Sequence, residues 1–366
     1  MIRMHKILDM YIKKSILSSI SIVFLILISL SSIIRLIDGL RNFEKKTYSI
    51  IEIFFCTFLS LPKDFELFLP ISILLGGLLG LGVLEIRNEL VIMKVFGLSY
   101  FQITFSVVKV SVFILILHIM LNEWLLPGSQ YMLYIYQGHK EYNSYFFPEK
   151  NKNLWIIDNN GFVCIEYMPT TNNVFGVNLY YLTKDKKIEK IIYFKDATYI
   201  NKSWFVSSAI ELNFSDKTHI VNRTVFHYKW NTILTPDLLS IITTNPRVLS
   251  VSKLFSCIKY FNGINQNSQY YELIFWNKIL SPLTGMIMLI ISLLYSFGPF
   301  SKKKIGFRLF FGSIIGFLFY VLHQFFDVFC VMHNIYPLVG SIIPVLLFIV
   351  INIVIVFYKI SNFRFI

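Results

Sequence analysis

The chain has little charge for its length. Only 15% of its 366 residues are charged, whereas 55% are hydrophobic, which is outside the balance of an ordinary soluble domain. Cysteine is also scarce: the four cysteines lie far apart, with neither a C-x-x-C motif nor histidine ligand spacing, so neither a zinc site nor a redox motif is supported. The composition therefore predicts a protein of the lipid bilayer.

Catalytic motifs are missing as well. The sequence contains no G-x-x-x-x-G-K-[ST] phosphate-binding loop. Its seven histidines form no H-E-x-x-H pair, and no serine–histidine–aspartate set has a local signature. We therefore predict that the chain is not an enzyme and that it needs no metal or other cofactor. Any active transport has to be powered by another subunit.

Six apolar runs are long enough to cross a membrane. Three precede and three follow a polar middle region: Ile16–Ile34, Phe65–Leu84, Phe101–Leu121, Leu273–Phe297, Leu309–Val328 and Leu338–Phe357. Lysine and arginine lie before the first run and between the fourth and fifth runs, and such residues are held on the cytoplasmic side. We therefore expect cytoplasmic termini and a periplasmic middle region.

The polar middle region predicts short β-strands between turn-forming residues. Seven segments are candidate strands: Leu154–Ile157, Phe162–Glu166, Val177–Leu182, Ile191–Tyr193, Trp204–Ser207, Ile210–Asn213 and Val225–Trp230. Strands at this spacing are typical of a sandwich or a jelly roll. The predicted fold is α-helical and membrane-spanning, with a periplasmic β-jellyroll-like domain inserted between helices 3 and 4. The predicted divisions are 1–135, 136–268 and 269–366.

Two details of the polar middle region can be checked in a structure. Asn159-Asn160-Gly161 favours a hairpin turn, because asparagine and glycine adopt positive φ at low cost. Cys164 and Cys257 can both lie outside the membrane, and we expect no disulfide between them.

The cytoplasmic connection between the second and third runs is patterned like a short amphipathic helix. It covers about residues 85–96 and carries Glu85, Arg87, Glu89 and Met93 before Gly97. Helices that lie in the membrane interface usually have a basic polar face, whereas this one carries both signs of charge. The mixture favours docking into a groove of a partner protein, with an interfacial helix as the alternative.

Basic side chains gather at the outer ends of the first two runs, against the charge bias that sets the topology. They include Arg35, Arg41 and Lys63. Arginine and lysine bind phosphate through charge-assisted hydrogen bonds, so these residues suit an anionic lipid headgroup. The alternative is a solvated loop of mixed charge, since acidic residues are close in sequence: Asp38, Glu44, Asp64 and Glu66.

Small and ionisable residues inside the apolar runs predict helix packing. Gly76, Gly77, Gly80 and Gly82 allow another helix to approach the second run closely. Four ionisable side chains fall in the third and fifth runs, and we expect each near a helix end or against a neighbouring helix rather than in a proton relay. They are Lys109, His118, His323 and Asp327.

Ordered segments along nearly the whole chain resemble the lipopolysaccharide-export permeases of the LptF/LptG family, and its LptG branch more than its LptF branch. They are Leu8–Ile12, Ser29–Arg35, Leu59–Asp64, Leu75–Gly82, Arg87–Met93, Glu123-Trp124, Leu234–Asp237, Trp276–Ile279 and Phe297–Pro299. The resemblance implies a permease subunit of an ABC transporter in the bacterial inner membrane, which extracts lipopolysaccharide from the outer leaflet. It also implies pairing with LptF and two copies of the ATPase LptB, and transfer of lipid toward LptC and the bridge to the outer membrane.

The resemblance also assigns residues. Arg35, Arg41 and Lys63 match positions where the family places basic side chains against lipid A phosphates. The segment 85–96 resembles the coupling helix that docks into LptB, with Glu89 at the acidic contact position. The sequence departs from the family where Asn42, Tyr134 and Gln137 replace basic residues.

Two other classes compete with a permease. One is a membrane scaffold or assembly factor that presents a periplasmic β domain without moving anything. The other is an ion-coupled secondary transporter, which usually places ionisable residues or broken helices at mid-membrane. Co-purification of a soluble ATPase would separate the permease from both.

Overall fold

The computed structural model describes residues 2–41, 49–97, 100–133, 153–158, 161–170, 172–183, 187–214, 221–264, 266–297 and 303–363. The chain forms two compact units. One contains the long helices that precede Gly128 and those that follow Tyr271, and the other lies between these two residues.

The helices follow the apolar runs of the sequence. In chain order they are α1 (Ile2–Arg41), α2 (Ile50–Ile86), α3 (Glu89–Val95), α4 (Tyr100–Met120), α5 (Pro236–Thr243), α6 (Val251–Gly263), α7 (Gln269–Phe297), α8 (Ile305–Met332) and α9 (Pro337–Phe363). A π-helical turn, Leu121–Leu125, continues α4 into helical residues 126–133.

In the described part of the chain, six helices are long and apolar enough to span a bilayer: α1, α2, α4 with its continuation, α7, α8 and α9. Each contains one predicted run, so the prediction of two sets of three spans is confirmed. The start of the second span differs, because α2 begins at Ile50 and runs through Pro62 and Pro70. Proline is tolerated in membrane helices, where other groups satisfy the freed backbone.

A stripe of glycines allows α1 and α2 to pack closely. A Cβ atom on Gly76 would overlap the backbone of Ile20, and one on Gly80 would lie 3.1 Å from the Cα atom of Ile16. Gly77 faces Ser292 of α7 with similar closeness. Ile16 and Ile20 are both buried in the core of this unit. The predicted packing role of the glycines is confirmed.

The second unit contains an antiparallel sheet. Its strands are β1 (Leu154–Asp158), β2 (Gly161–Thr170), β3 (Asn173–Leu182), β4 (Ile188–Ile200), β5 (Ser203–Asn213) and β6 (Val221–Trp230). Neighbours in the sheet are consecutive in sequence. The β1–β2 ladder ends at the pair Asp158 and Gly161, which confirms the predicted hairpin, although residues 159–160 lie outside the described part. The inserted β domain is thus confirmed.

The prediction of separate strands at Trp204–Ser207 and Ile210–Asn213 is wrong, because both belong to β5. The cause is a change of buried face in mid-strand. Val206 is buried and so is Ala209, three positions later, although strict alternation would bury every second residue. The opposite strand makes the same change between Phe194 and Ala197. In the sequence, this interruption of the alternation between buried and exposed residues therefore resembles the end of one strand and the start of another.

The inner face of the sheet packs against the short helices of the same unit. The Trp204 indole is buried and donates a 2.7 Å hydrogen bond to the carbonyl of Leu234, just before α5. The Tyr260 hydroxyl of α6 donates to the carbonyl of Ile157 at 2.7 Å. These bonds satisfy the polar ends of large side chains inside an apolar core, which stabilises the unit.

Cys164 and Cys257 are both free and buried, as expected. Burial raises the pKa of the Cys257 thiol to about 12 from 9.0, so the nucleophilic thiolate is absent at neutral pH. We expect Cys257 to resist iodoacetamide in the native protein and to react after denaturation, as followed by mass spectrometry. The pKa of the Cys257 thiol is thus higher in the folded than in the unfolded protein. The stabilisation that the protonated thiol provides is therefore complete below pH 9 and is lost as the pH rises toward 12. Rapid labelling of native Cys257 at pH 7 would contradict this.

Candidate functional site

Asp64, in α2, is buried and is held by two side chains of α1. The Arg35 guanidinium forms an ion pair with its Oδ1 atom, and the Ser31 hydroxyl donates to Oδ2 at 2.9 Å. The Arg35 side chain remains 36% exposed. Arg35 therefore has a structural partner within the chain and remains partly accessible.

The other two predicted lipid-binding residues are exposed. Lys63 directly precedes Asp64 in α2, and Arg41 is the last residue of α1. Lys63 is thus the sequence neighbour of the residue that pairs with Arg35, and Arg41 ends the helix that carries Arg35. The assignment of these three to a lipid phosphate stays a prediction. Asn42, Tyr134 and Gln137 lie outside the described residues.

The predicted helix over residues 85–96 is two elements rather than one. Helix α2 continues to Ile86, a turn follows, and α3 begins at Glu89. The break has a local cause: Asn88 has a φ of 56°, a left-handed conformation that asparagine adopts more readily than most residues and that commonly ends helices. Beyond α3, Gly97 has a φ of 90°. The two acidic residues are therefore on different helices.

Both acidic residues of this segment have partners inside the chain. The Glu85 carboxylate lies 2.7 Å from the Arg308 guanidinium of α8. The Glu89 carboxylate accepts a 2.9 Å hydrogen bond from the hydroxyl of Tyr11 in α1, and the Arg87 guanidinium lies 3.9 Å from it. The segment is thus attached to α1 and α8 through polar contacts.

The apolar residues of α3 divide between an inner and an outer face. Leu90 and Met93 are buried in the core of the helical unit. Three apolar residues of α3 and the residue that follows it are exposed: Val91, Ile92, Val95 and Phe96. Of the residues predicted to meet an ATPase, Met93 thus faces inward and Arg87 is exposed. The exposed apolar set was missed because the sequence pattern does not show which side of so short a helix is covered.

The ionisable residues inside the spans contact neighbouring helices. His118 lies 3.0 Å from the Ser281 hydroxyl of α7, and Lys109 lies 3.3 Å from the Asp9 carboxylate of α1. Asp327 accepts a 2.8 Å hydrogen bond from Asn277 of α7 and lies 3.6 Å from His323. The prediction of packing against neighbouring helices is confirmed for Lys109, His118 and Asp327, whereas His323 contacts Asp327 of its own helix.

Helices α1 and α8 are the least enclosed spans among the described helices. In the most apolar 18-residue stretch of each helix, 11% of the residues of α1 and 22% of those of α8 are buried, against 61% for α2. Both helices present large apolar side chains outward, such as Leu25 and Phe317. A membrane helix with so little enclosure meets lipid or another subunit along most of its length.

These features define a multi-pass membrane protein with two sets of three spanning helices and an inserted antiparallel β domain.

Comparison with known proteins identifies the family. Residues 10–359 match the family described as "Lipopolysaccharide export system permease LptF/LptG". The Escherichia coli (strain K12) protein named "Lipopolysaccharide export system permease protein LptG" is 32% identical over 340 residues, which cover 92% of this chain and 94% of that protein. The Haemophilus influenzae protein of the same name is 31% identical over 347 residues, covering 94% and 96%. The chain belongs to the LptF/LptG family of lipopolysaccharide export system permeases.

Proposed function

We propose that this chain is the permease subunit of an ABC transporter that extracts lipopolysaccharide from the outer leaflet of the inner membrane. The lipid then passes to a periplasmic bridge and on to the outer membrane. The observation that carries the proposal is the match to the permease family over residues 10–359, which includes both sets of spans and the β domain. A resemblance confined to the helices would leave the β domain without a role.

The proposed orientation places both termini in the cytoplasm and the β domain in the periplasm. It is supported by Lys303 and Lys304 before α8, since basic residues in short loops are held inside. With six spans, the region between the third and fourth then lies outside.

The proposed extraction site is a cavity lined by α1 and α8 of this chain and by the equivalent helices of a second permease subunit, LptF. The low enclosure of α1 and α8 supports this, because acyl chains need apolar walls. Arg35, Arg41 and Lys63 hold the lipid A phosphates at the outer end of the cavity. Lys63 and Arg41 are exposed, whereas Arg35 is 36% exposed and already paired with Asp64.

The proposed path continues along the outer face of the β sheet. The face opposite the packed core carries a group of partly exposed aromatic and aliphatic side chains from neighbouring strands: Trp155, Phe162, Tyr180, Ile191, Tyr193, Ile210 and Leu212. Trp155 and Tyr180 are stacked with ring centroids 5.4 Å apart. Such a surface suits acyl chains better than water, and LptC receives the lipid beyond it.

The proposed power source is a dimer of the ATPase LptB, which binds the segment from Glu85 to Phe96. The exposed apolar side chains at the end of α3 support this, since Val95 is 81% exposed and the following Phe96 is 61% exposed, near the charged Arg87 and Glu89. An apolar surface rimmed by charge is typical of a protein contact.

Reversal of the charge at Glu89 is expected to weaken binding of the ATPase. Glu89→Lys places a cation where an acidic contact is proposed, so we expect about tenfold less LptB in a pull-down of the solubilised complex. Tyr11→Phe is the matched control, because it removes the 2.9 Å hydrogen bond to Glu89 and leaves the carboxylate in place. Unchanged retention of LptB by Glu89→Lys would favour an interfacial helix instead.

The proposed function as a whole is tested by reconstitution. The chain is co-purified with its partners, placed in proteoliposomes with lipopolysaccharide, and given ATP in the presence of a soluble acceptor domain. We expect lipopolysaccharide to appear on the acceptor only when ATP is hydrolysed. Recovery of the chain without an ATPase, together with no release of lipid, would instead support a scaffold.

A further inference from the structure

We infer that the ion pair between Glu85 and the buried Arg308 connects the ATPase-binding segment to α8, so that movement of the segment changes the position of a cavity-lining helix. This inference rests on the proposed function and deepens it. It assigns Glu85 and Arg308 as positioning residues of the transport cycle.

The ion pair lies between the C-terminal end of α2 and the first turn of α8. Glu85 precedes the last residue of α2 and lies four residues before the start of α3, whereas Arg308 is in the first turn of α8. Their charged groups are 2.7 Å apart, and the Arg308 side chain is only 1% exposed. Its Nε atom also donates a 3.1 Å hydrogen bond to the carbonyl of Lys303, just before α8. The guanidinium thus joins the end of α2 to the start of α8.

The space around Arg308 is provided by a glycine. A Cβ atom on Gly82, one turn before Glu85, would lie 3.3 Å from Nη1 of Arg308 and 3.5 Å from its Cδ atom. Any larger residue at position 82 would press on the guanidinium. Gly82 therefore leaves room for the Arg308 side chain, in addition to its part in the close packing of the helices.

Stability alone does not explain an arginine at this position. The buried Nη1 atom has no hydrogen-bond partner among the described residues, and an unpaired buried donor is costly. Apolar residues of similar volume often replace a buried ion pair with no loss of stability. An ion pair holds its two charged groups at a fixed distance and orientation. A mechanical connection between the end of α2 and the start of α8 requires both.

The position of α8 explains how this ion pair could affect transport. This helix is one of the two least enclosed spans, and its exposed apolar side chains, such as Phe317, face the proposed cavity or the second subunit. A shift at residues 85–89 is passed to the first turn of α8 through the guanidinium. The ATPase can then act on the cavity without contacting α8.

The test measures coupling in the assembled transporter. Glu85→Gln, Arg308→Gln and the double variant are reconstituted with LptF, LptB and LptC, and both ATP hydrolysis and lipopolysaccharide release are measured. We expect the amount of lipid released per ATP to fall about fivefold in each single variant. The double variant should fall no further, because the single changes already remove the connection. Arg308→Lys should retain part of the coupling, since it keeps the charge.

A second readout detects the movement itself. A spin label replaces the exposed Phe317 of α8, and its mobility is compared before and after trapping with ATP and vanadate. The label should respond in the wild-type complex and fail to respond in the double variant, which carries no unpaired buried charge and folds for that reason. Lys304→Gln is the matched control, because it removes a cation at the exposed start of α8 and should leave both readouts unchanged.

The possible outcomes distinguish failure of the Glu85–Arg308 connection from failure of the proposed function. A wild-type complex that hydrolyses ATP and releases lipid, together with a double variant of normal coupling and normal label response, would overturn the inference and leave the proposed function standing. A wild-type complex that binds no ATPase and releases no lipid would overturn both.

Discussion

Replacement of Gly76 by valine is expected to separate α1 from α2 and to prevent accumulation of the folded protein. Any Cβ atom at this position overlaps the backbone of Ile20, which cannot move without moving the whole of α1. Overpacking of a close-packed site typically costs 1–3 kcal/mol, and because the obstacle is backbone we expect about 3 kcal/mol. The measurements are the amount of protein in the membrane fraction and the midpoint of thermal unfolding in detergent.

Gly128→Val is the matched control for this substitution. Gly128 is also helical, but a Cβ atom there meets no other atom within 4 Å. Both variants carry the same change of helix propensity, so their difference isolates the contact with Ile20. Equal accumulation and equal melting of the two variants would show that α1 and α2 are not in close contact at Gly76.

Replacement of Arg35 by alanine is expected to destabilise the protein as well as to weaken lipid binding. The substitution leaves the buried Asp64 carboxylate with only the Ser31 hydroxyl among the α1 side chains described above. Loss of one partner of a fully buried pair costs about 3–5 kcal/mol, and an exposed pair contributes about 1 kcal/mol or less. Because Arg35 is partly exposed, we expect about 2 kcal/mol, measured by unfolding of the detergent-solubilised protein.

Asp64→Asn in the Arg35→Ala background tests the cause of that loss. The double variant removes the unpaired charge, so much of the lost stability should return, while lipid binding should remain weak. Lys63→Ala provides the comparison at an exposed side chain, whose loss should weaken lipid binding alone. An Arg35→Ala variant as stable as the wild type would exclude the structural role of the ion pair.

The membrane fold could be predicted from sequence because hydropathy decides it. A bilayer requires about 20 apolar residues for each span, and the six runs were long and distinct. The β domain was less exact, since β5 changes its buried face between Val206 and Ala209 and so imitates two strands. The paired strand makes the same change between Phe194 and Ala197, and this agreement between neighbours is not contained in the sequence pattern of one strand.

The candidate site was only partly predictable for a related reason. The basic residues near Lys63 are visible in the sequence, because they depart from the charge bias of the loops. The partners of Glu85 and Arg35 are not visible, since Arg308 is 223 positions from Glu85 and Asp64 is 29 positions from Arg35. No local pattern connects residues so far apart. The inward direction of Met93 likewise follows from tertiary packing.

Photocrosslinking from position 63 tests whether the outer ends of the first two spans bind lipopolysaccharide. A photoreactive amino acid replaces Lys63 in the assembled complex, and vesicles containing lipopolysaccharide are irradiated before and after addition of ATP. We expect a lipopolysaccharide adduct in the absence of ATP and its decline once ATP is hydrolysed, because the lipid leaves the cavity. An adduct that never forms, or one that ATP does not change, would contradict the account.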